Sequence, residues 1–279
     1  MLGTINPEIL FLQQEDQIKA GLLDMKMILK ITEDTYKMLG QGQIQNPPKV
    51  HLGIPEGTEW ESFFNTMPSY IGGDMNIAGI KWAAESKKNA TTPGIPYGID
   101  ISILSDPVTV LPFCIQDGTI ITAMRTSAVA GLQAKYCAPS DTDTATLIGA
   151  GVIGRTMIMA ICEAIPTVKT IYLCDLDLEK AEQVAKESEG KYGVTIIPTS
   201  SICAQNIIDF SVLPFFFAIT LPKLSIVTSS QSGSKAFLIA VAVVFSKPDA
   251  PLVCVTFIKN SLVVKQTFPF LSDLRIPSP

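Results

Sequence analysis

Few chains tolerate three glycines in six residues at the junction of an apolar strand and an apolar helix, yet positions 149–154 of this 279-residue chain read GAGVIG in that setting. The run at 145–148 precedes it, and Met157, Ile158, Ala160, Ile161 and Ala164 continue beyond it as a buried helix. A GxGxxG pattern alone is weak evidence, but its strand-and-helix context carries physical meaning. Gly149 permits the tight turn, Gly151 lets backbone amides approach a pyrophosphate, and Gly154 allows the helix to pack closely on the strand. The pattern then repeats as strand, helix and strand at 168–174, 178–189 and 194–197. This βαβαβ order predicts an α/β Rossmann-type dinucleotide-binding domain. Asp175 ends the second strand, 26 residues after the first glycine. There it would accept hydrogen bonds from the adenosine ribose. Its charge repels a 2′-phosphate and no Lys or Arg follows until Lys180, so NAD(H) is expected over NADP(H).

The residues before this domain follow different periods. Apolar positions at Met25, Ile28, Leu29, Ile31, Tyr36 and Leu39 have helical spacing over residues 24–39, and Gly40 and Gly42 stop the helix. Between 46 and 112, strand-like runs at 49–54, 77–82 and 99–104 alternate with the turn signals Pro47-Pro48, Gly72-Gly73 and Pro93-Gly94. A long helix of small and apolar residues is expected to begin near Thr122 and run to Tyr136, before a linker at Pro139. The expected order is an α+β substrate-binding domain over residues 1–138, the first half of the Rossmann domain over 139–203, and an atypical hydrophobic tail over 204–279.

Composition removes several functional classes. A net charge of −5 with no basic run argues against nucleic acid or an anionic membrane surface as partner. The start MLGTINPEIL lacks a basic segment followed by an apolar one, and the longest uncharged apolar run, 236–245, is about half of the roughly 20 residues a spanning helix needs. The expectation is a cytoplasmic protein without a membrane partner. Six cysteines at positions 114, 137, 162, 174, 203 and 254 lie at least ten residues apart, which gives no redox pair and no zinc knuckle, and they read as buried reduced thiols. The single histidine, His51, alternates like a strand residue and reads as structural. No metal site is expected.

Three cations in the first domain sit among apolar or small neighbours: Lys49 in PPKVHL, Lys81 in AGIKW and Arg125 in TAMRT. A buried cation is costly unless an anion meets it. Each alone is more often a side chain reaching for water. Three together fit a pocket for a carboxylate or amino acid, with Arg125 able to make a bidentate pair.

The blocks PPKVHL, MPSYIGG, AGIKW, ILSDP, DGTIITAMRTSAVAGLQAKY and TLIGAGVIGR, in this order and spacing, resemble the ornithine cyclodeaminase and mu-crystallin family over about residues 7–200. The resemblance implies a homodimer whose first domain carries the subunit contact and the substrate pocket. It implies Arg125 as the holder of the substrate carboxylate, with Lys81 facing the substrate and Lys49 where several relatives have an arginine. Thr126 would contact the cofactor, Val152 and Ile153 would lie against the pyrophosphate, and Met67 would stand at the pocket wall or in the core. The implied reaction converts L-ornithine to L-proline and ammonia with catalytic NAD+. An alanine dehydrogenase, an amino-acid-condensing dehydrogenase or an inactive NAD-binding structural relative stands as the alternative.

The family's catalytic aspartate, carried in the later part of the nucleotide domain, has no match here. Residues 206–279 hold nine of the 47 charged side chains, and Glu189 is the last glutamate. Asp209, Asp249 and Asp273 are candidates by residue type only. Three readings of the tail stand open: a divergent completion of the sheet, a frame-shifted translation, or a hydrophobic interaction segment. A frameshift implies that the coding DNA, read in another frame after about codon 202, restores a block with the missing aspartate and glycines.

Overall fold

The computed structural model describes residues 8–56, 59–200, 242–247 and 250–256. The chain opens with β1 (Leu10–Leu12), α1 (Gln14–Lys19) and α2 (Met25–Gly40). Asp24 caps α2, its side chain accepting from Met27 N–H at 3.1 Å. One stripe of α2, Met25 and Leu29, is buried, and the opposite face carries the ion pairs Lys30–Asp34 and Lys37–Asp34.

Six strands follow: β2 (Ile44–Gln45), β3 (Val50–Glu56), β4 (Glu59–Ile71), β5 (Ile77–Ser86), β6 (Gly98–Ser105) and β7 (Pro112–Asp117). They form a sheet in the order β1-β7-β6-β5-β4-β2, with β3 also on β4, antiparallel except for the parallel β1–β7 pair. The sequence signals foresaw β3, β5 and β6 but not β4, the longest strand. Both faces of β4 carry apolar side chains, so the alternation that marks a half-buried strand is absent. It also contains Pro68. On one edge β3 pairs as far as Thr66 and β2 begins at Tyr70, so the proline, which has no N–H to give, falls in the gap between them.

Helix α3 (Thr119–Cys137) starts three residues before its expected position. It leads into β8 (Thr144–Ile148), α4 (Val152–Ala164), β9 (Thr170–Cys174), α5 (Leu178–Ser188) and β10 (Thr195–Thr199). The parallel strands β10, β9 and β8 are joined in one sheet by β11 (Ala242–Lys247) and β12 (Ala250–Thr256). β11 runs antiparallel to both β8 and β12. The chain is therefore α/β with a parallel core beside an antiparallel-rich sheet. Leu147, Met157, Ile158, Ile161, Ile171, Leu173 and Val184 fill the core between β8, β9, α4 and α5.

A second core lies where α2, α3 and α4 meet, built from Met25, Leu29, Met124, Ala128, Leu132 and Ala160. Small residues let α3 and α4 approach closely. A Cβ added to Gly131 would stand 3.1 Å from both the Cβ and the carbonyl oxygen of Ala160. Ser127 and Thr156 share a hydrogen bond of 2.7 Å across the same contact.

Of the cysteines, Cys114 and Cys174 are buried and Cys162 is half-buried, but Cys137 at the end of α3 is exposed, which corrects the expectation of uniformly buried thiols. No helix among the described residues is long and apolar enough to cross a membrane. His51 sits on β3 with Nδ1 2.8 Å from Asn65 Oδ1 and its ring against Phe63, a structural placement.

The far end of α3 is tied to α2 by Glu33, which accepts from Tyr136 OH at 2.6 Å and from Lys135 Nζ at 3.0 Å. These bonds, with Lys37 beside them, lower its pKa from 4.5 to about 2. A depressed carboxyl adds stability above its unfolded value, and the contribution is lost as pH falls through the folded value. Glu33→Gln should therefore flatten the dependence of stability on pH between about 5 and about 2, read from urea unfolding at several pH values.

Candidate functional site

At the end of β8 the backbone turns at Gly149, whose φ of +105° suits glycine alone, and Gly151 is the N-cap of α4. No side chain caps this helix, so its first amides face outward with the positive end of the helix dipole. A Cβ on Gly149 or Gly151 would meet nothing within 4 Å, which leaves an open cradle in front of these amides that fits an anion such as a pyrophosphate. Gly154 has a different duty. A Cβ there would lie 1.9 Å from the carbonyl oxygen of Gly149, so the turn and the helix can meet only over a glycine. Val152 is exposed at the mouth of the cradle and Ile153 is half-buried behind it.

Asp175 follows β9 and reaches back to the turn. Its Oδ2 accepts from Ala150 N–H at 2.7 Å and its Oδ1 from Asp177 N–H at 3.0 Å. Burial pushes its pKa up, but these amides and the charge of Lys180 outweigh that and leave the carboxyl below its usual value. It is ionised and held at the rim of the cradle, beside Leu176, which is 99% exposed. Arg155 was not signalled by the spacing of the motif. Its Nη1 donates to Ala150 O at 3.1 Å and its Nε to Glu187 at 3.1 Å, bracing the turn from below.

The second half of the site lies on the first sheet. Pairing places Met67, Lys81, Ser102 and Gln116 in one row across β4, β5, β6 and β7, so their side chains share a face. Lys49 stands immediately before β3, is half-buried and has a partner of its own. Asp100 is a diagonal neighbour of Lys81 on this face and is only 6% exposed. Lys81 Nζ donates to Asp100 Oδ2 at 3.0 Å and to Thr122 Oγ1 at 3.0 Å, and the Thr122 hydroxyl closes the triangle by donating to Asp100. Burial lowers the pKa of Lys81, Asp100 opposes this, and the nearby charge of Arg125 adds to the lowering. Sequence spacing singled out Lys81 as a cation awaiting an anion; the anion is Asp100, which no sequence signal marked.

Arg125 stands one helical turn beyond Thr122 on α3. It makes no hydrogen bond or ion pair among the described residues. Its side chain is exposed to solvent, yet desolvation is the largest influence on its pKa and lowers it, with Asp100 and Tyr36 acting against it. Arg125 is thus open to solvent while standing near Asp100 and Tyr36. Arg125 keeps its proton, since guanidinium pKa values start above about 12. Its free planar fork suits a carboxylate.

Helix packing brings the two halves together. Thr156 Oγ1 on α4 lies 3.3 Å from Ala123 O, and Ser127 Oγ donates to Ile153 O at 3.3 Å. Arg125 and the half-buried Thr126 are thus held between residues that touch the first turn of the glycine-motif helix. Asp209, Asp249 and Asp273 lie outside the described residues.

The model of the ornithine cyclodeaminase/mu-crystallin family matches residues 10–212. The chain is 27% identical over 172 residues to N-((2S)-2-amino-2-carboxyethyl)-L-glutamate dehydrogenase of Staphylococcus aureus, covering 61% of this chain and 51% of that protein. It is 31% identical over 144 residues to alanine dehydrogenase of Archaeoglobus fulgidus, covering 52% and 41%. Among solved structures it resembles Δ1-pyrroline-2-carboxylate reductase of Thermococcus litoralis in complex with NADH and L-proline, with a TM-score of 0.63 and 30% identity over 70% of this chain and 58% of that one. The chain thus spans about half the length of the curated relatives it matches.

The different surroundings of two glycines separate folding from ligand binding. Gly151→Ala should leave the melting temperature close to that of the natural chain while weakening NADH binding at least tenfold, because its Cβ enters only the cradle. Gly154→Ala should lower the melting temperature itself, read by calorimetry beside NADH fluorescence titration.

Proposed function

The chain belongs to the ornithine cyclodeaminase/mu-crystallin family, and from that premise we propose that it transfers hydride between NAD(H) and the α-carbon of an amino or imino acid bound by its carboxylate. The observation that carries this reading is Arg125, which has no hydrogen-bond or ion-pair partner among the described residues and stands on α3 between Ala123 and Ser127, both bonded to the first turn of the helix that follows the glycine cradle. When bound, NAD(H) supplies the hydride donor or acceptor. Residues 1–138 serve as the substrate part and 139–203 as the nucleotide part.

In this reading Arg125 fixes the substrate carboxylate, and Lys81 and Lys49 line the same cleft. Gly149, Gly151, Val152, Ile153 and Gly154 cradle the pyrophosphate, Thr126 meets the cofactor from α3, and Asp175 receives the ribose hydroxyls. The ionised Asp175 favours NAD(H), because a 2′-phosphate would add a second negative charge beside it. Fixing the carboxylate orients the α-hydrogen, which is how binding becomes rate acceleration here.

Reduction of an imino acid, or its reverse, is supported by the likeness to the alanine dehydrogenase and the pyrroline-2-carboxylate reductase. The conversion of L-ornithine to L-proline, supported by the AGIKW and TAMRT blocks, is the second reading, with the same hydride transfer made out and back. Two assays separate them. Net NADH oxidation with Δ1-pyrroline-2-carboxylate, or with pyruvate and ammonia, is the expected result. Ammonia and proline formed from L-ornithine without net change in NADH would replace it, and NADH binding without either reaction would leave a non-catalytic binding protein. In the expected case Arg125→Ala should lower kcat/KM by at least a hundredfold, equivalent to about 2.7 kcal/mol.

The reading includes a homodimer. One face of the first sheet exposes Val50, Leu52, Ile54, Trp82, Ile99 and Ile101, and pairing aligns Val50 with Trp82 and Ile101 in one row across β3, β4, β5 and β6. Such a continuous apolar face is unusual on a monomer. Sedimentation velocity should give a dimer for the natural chain and a monomer for Ile101→Lys.

A further inference from the structure

Asp100 is the sole charged residue among the described ones that is buried. A buried carboxylate is tolerated when it is paired, and its place on the cleft face of β6 puts it beside two cations. Its hydrogen bonds go to one of them. Lys81 and the Thr122 hydroxyl both donate to Oδ2, and the lysine also donates to the threonine, so three side chains from β5, β6 and α3 form a closed triangle. Arg125, on the same helix as Thr122, makes no such bond among the described residues. Lys49 has a partner of its own. Within this group there are two positive charges and one internal negative charge, which leaves a deficit of one anion.

We propose that Asp100 is a specificity-determining residue: by neutralising Lys81 from inside the protein it leaves Arg125 to receive one carboxylate, and so selects monocarboxylate amino and imino acids against those carrying a second carboxylate near the first. This rests on the reading of Arg125 as the carboxylate holder. A second carboxylate reaching past Arg125 toward Lys81 meets a lysine already bonded to Asp100 and a buried charge of its own sign. Specificity here comes from repulsion as much as from attraction. A neutral side chain of the same shape meets no such opposition, so L-asparagine and L-aspartate, alike in shape and different in charge, report on Asp100 directly.

The test is calorimetric titration of the full chain saturated with NADH, using L-alanine, L-asparagine and L-aspartate. L-asparagine should bind at least tenfold tighter than L-aspartate. Asp100→Asn keeps the shape of the triangle, removes its negative charge and frees Lys81, and should narrow that ratio at least tenfold. Adding Lys81→Met to Asp100→Asn should restore the original preference, because only Arg125 then remains. An unchanged ratio in Asp100→Asn with NADH affinity and melting temperature preserved overturns the proposal, as does a double variant that keeps the narrowed ratio. If Asp100→Asn does not fold, the natural chain still decides: equal affinity for L-asparagine and L-aspartate defeats the proposal and leaves the carboxylate role of Arg125 standing. Binding of L-alanine alone means that shape selects and also overturns it. No binding of any of the three to the NADH complex removes the substrate reading itself.

Discussion

The close contact of α3 with α4 is the constraint on which the rest of the molecule depends. It is made by side chains too small to hold the helices apart, Ala128 and Gly131 on one side and Ala160 on the other, with Ser127 and Thr156 bonded across it. Helix α3 belongs by its N-terminal end to the antiparallel-rich sheet, where Thr122 completes the triangle with Lys81 and Asp100. Helix α4 belongs to the parallel sheet, where its N-terminus closes the glycine turn. Packing interiors have little slack, so fixing one helix on the other fixes Arg125 relative to the glycine cradle. A bulky residue at Gly131 would move the two halves of the site apart before it touched either.

Each half of the site is then stiffened by bonds of a different kind. The glycine turn is held by groups on both sides of it, with Asp175 accepting from the amide of Ala150 and Arg155 donating to its carbonyl. The cleft is held by charge. Lys81 and Asp100 carry opposite charges, which lets Asp100 stay buried beside the half-buried lysine. Arg125 lies outside this pairing, exposed to solvent and without a hydrogen-bond partner among the described residues. The proposed hydride transfer needs both kinds of rigidity, because such a transfer is sensitive to small errors in distance.

Much of the architecture was legible along the chain. The period of 3.6 marked α2, although of its named apolar positions only Met25 and Leu29 are buried while Ile31, Tyr36 and Leu39 are exposed, and the glycine spacing marked β8, the turn and α4. Strand β4 was not legible, because both of its faces carry apolar side chains and Pro68 reads as a break until the gap between β2 and β3 is seen. Asp100 was hidden for a related reason. In GIDISIL it alternates with isoleucines as any strand residue facing the less apolar side might, and nothing nearby in sequence reveals that Lys81, 19 residues earlier, is its partner.

By itself the sequence determined the elements whose chemistry is local: the turn that only glycine can make at Gly149, the acid at the end of the next strand, and the presence of cations in apolar surroundings. It marked Lys49, Lys81 and Arg125 as alike. Only the tertiary structure told Lys81 and Arg125 apart, since the diagonal register of β5 on β6 bonds an anion to the lysine, whereas no carboxylate among the described residues bonds to the arginine. The physical reason is range. Turn geometry is decided within a few bonds of the residue concerned, whereas the net charge of the site is a sum over side chains brought together by strand pairing and helix packing from 19 to 41 residues apart.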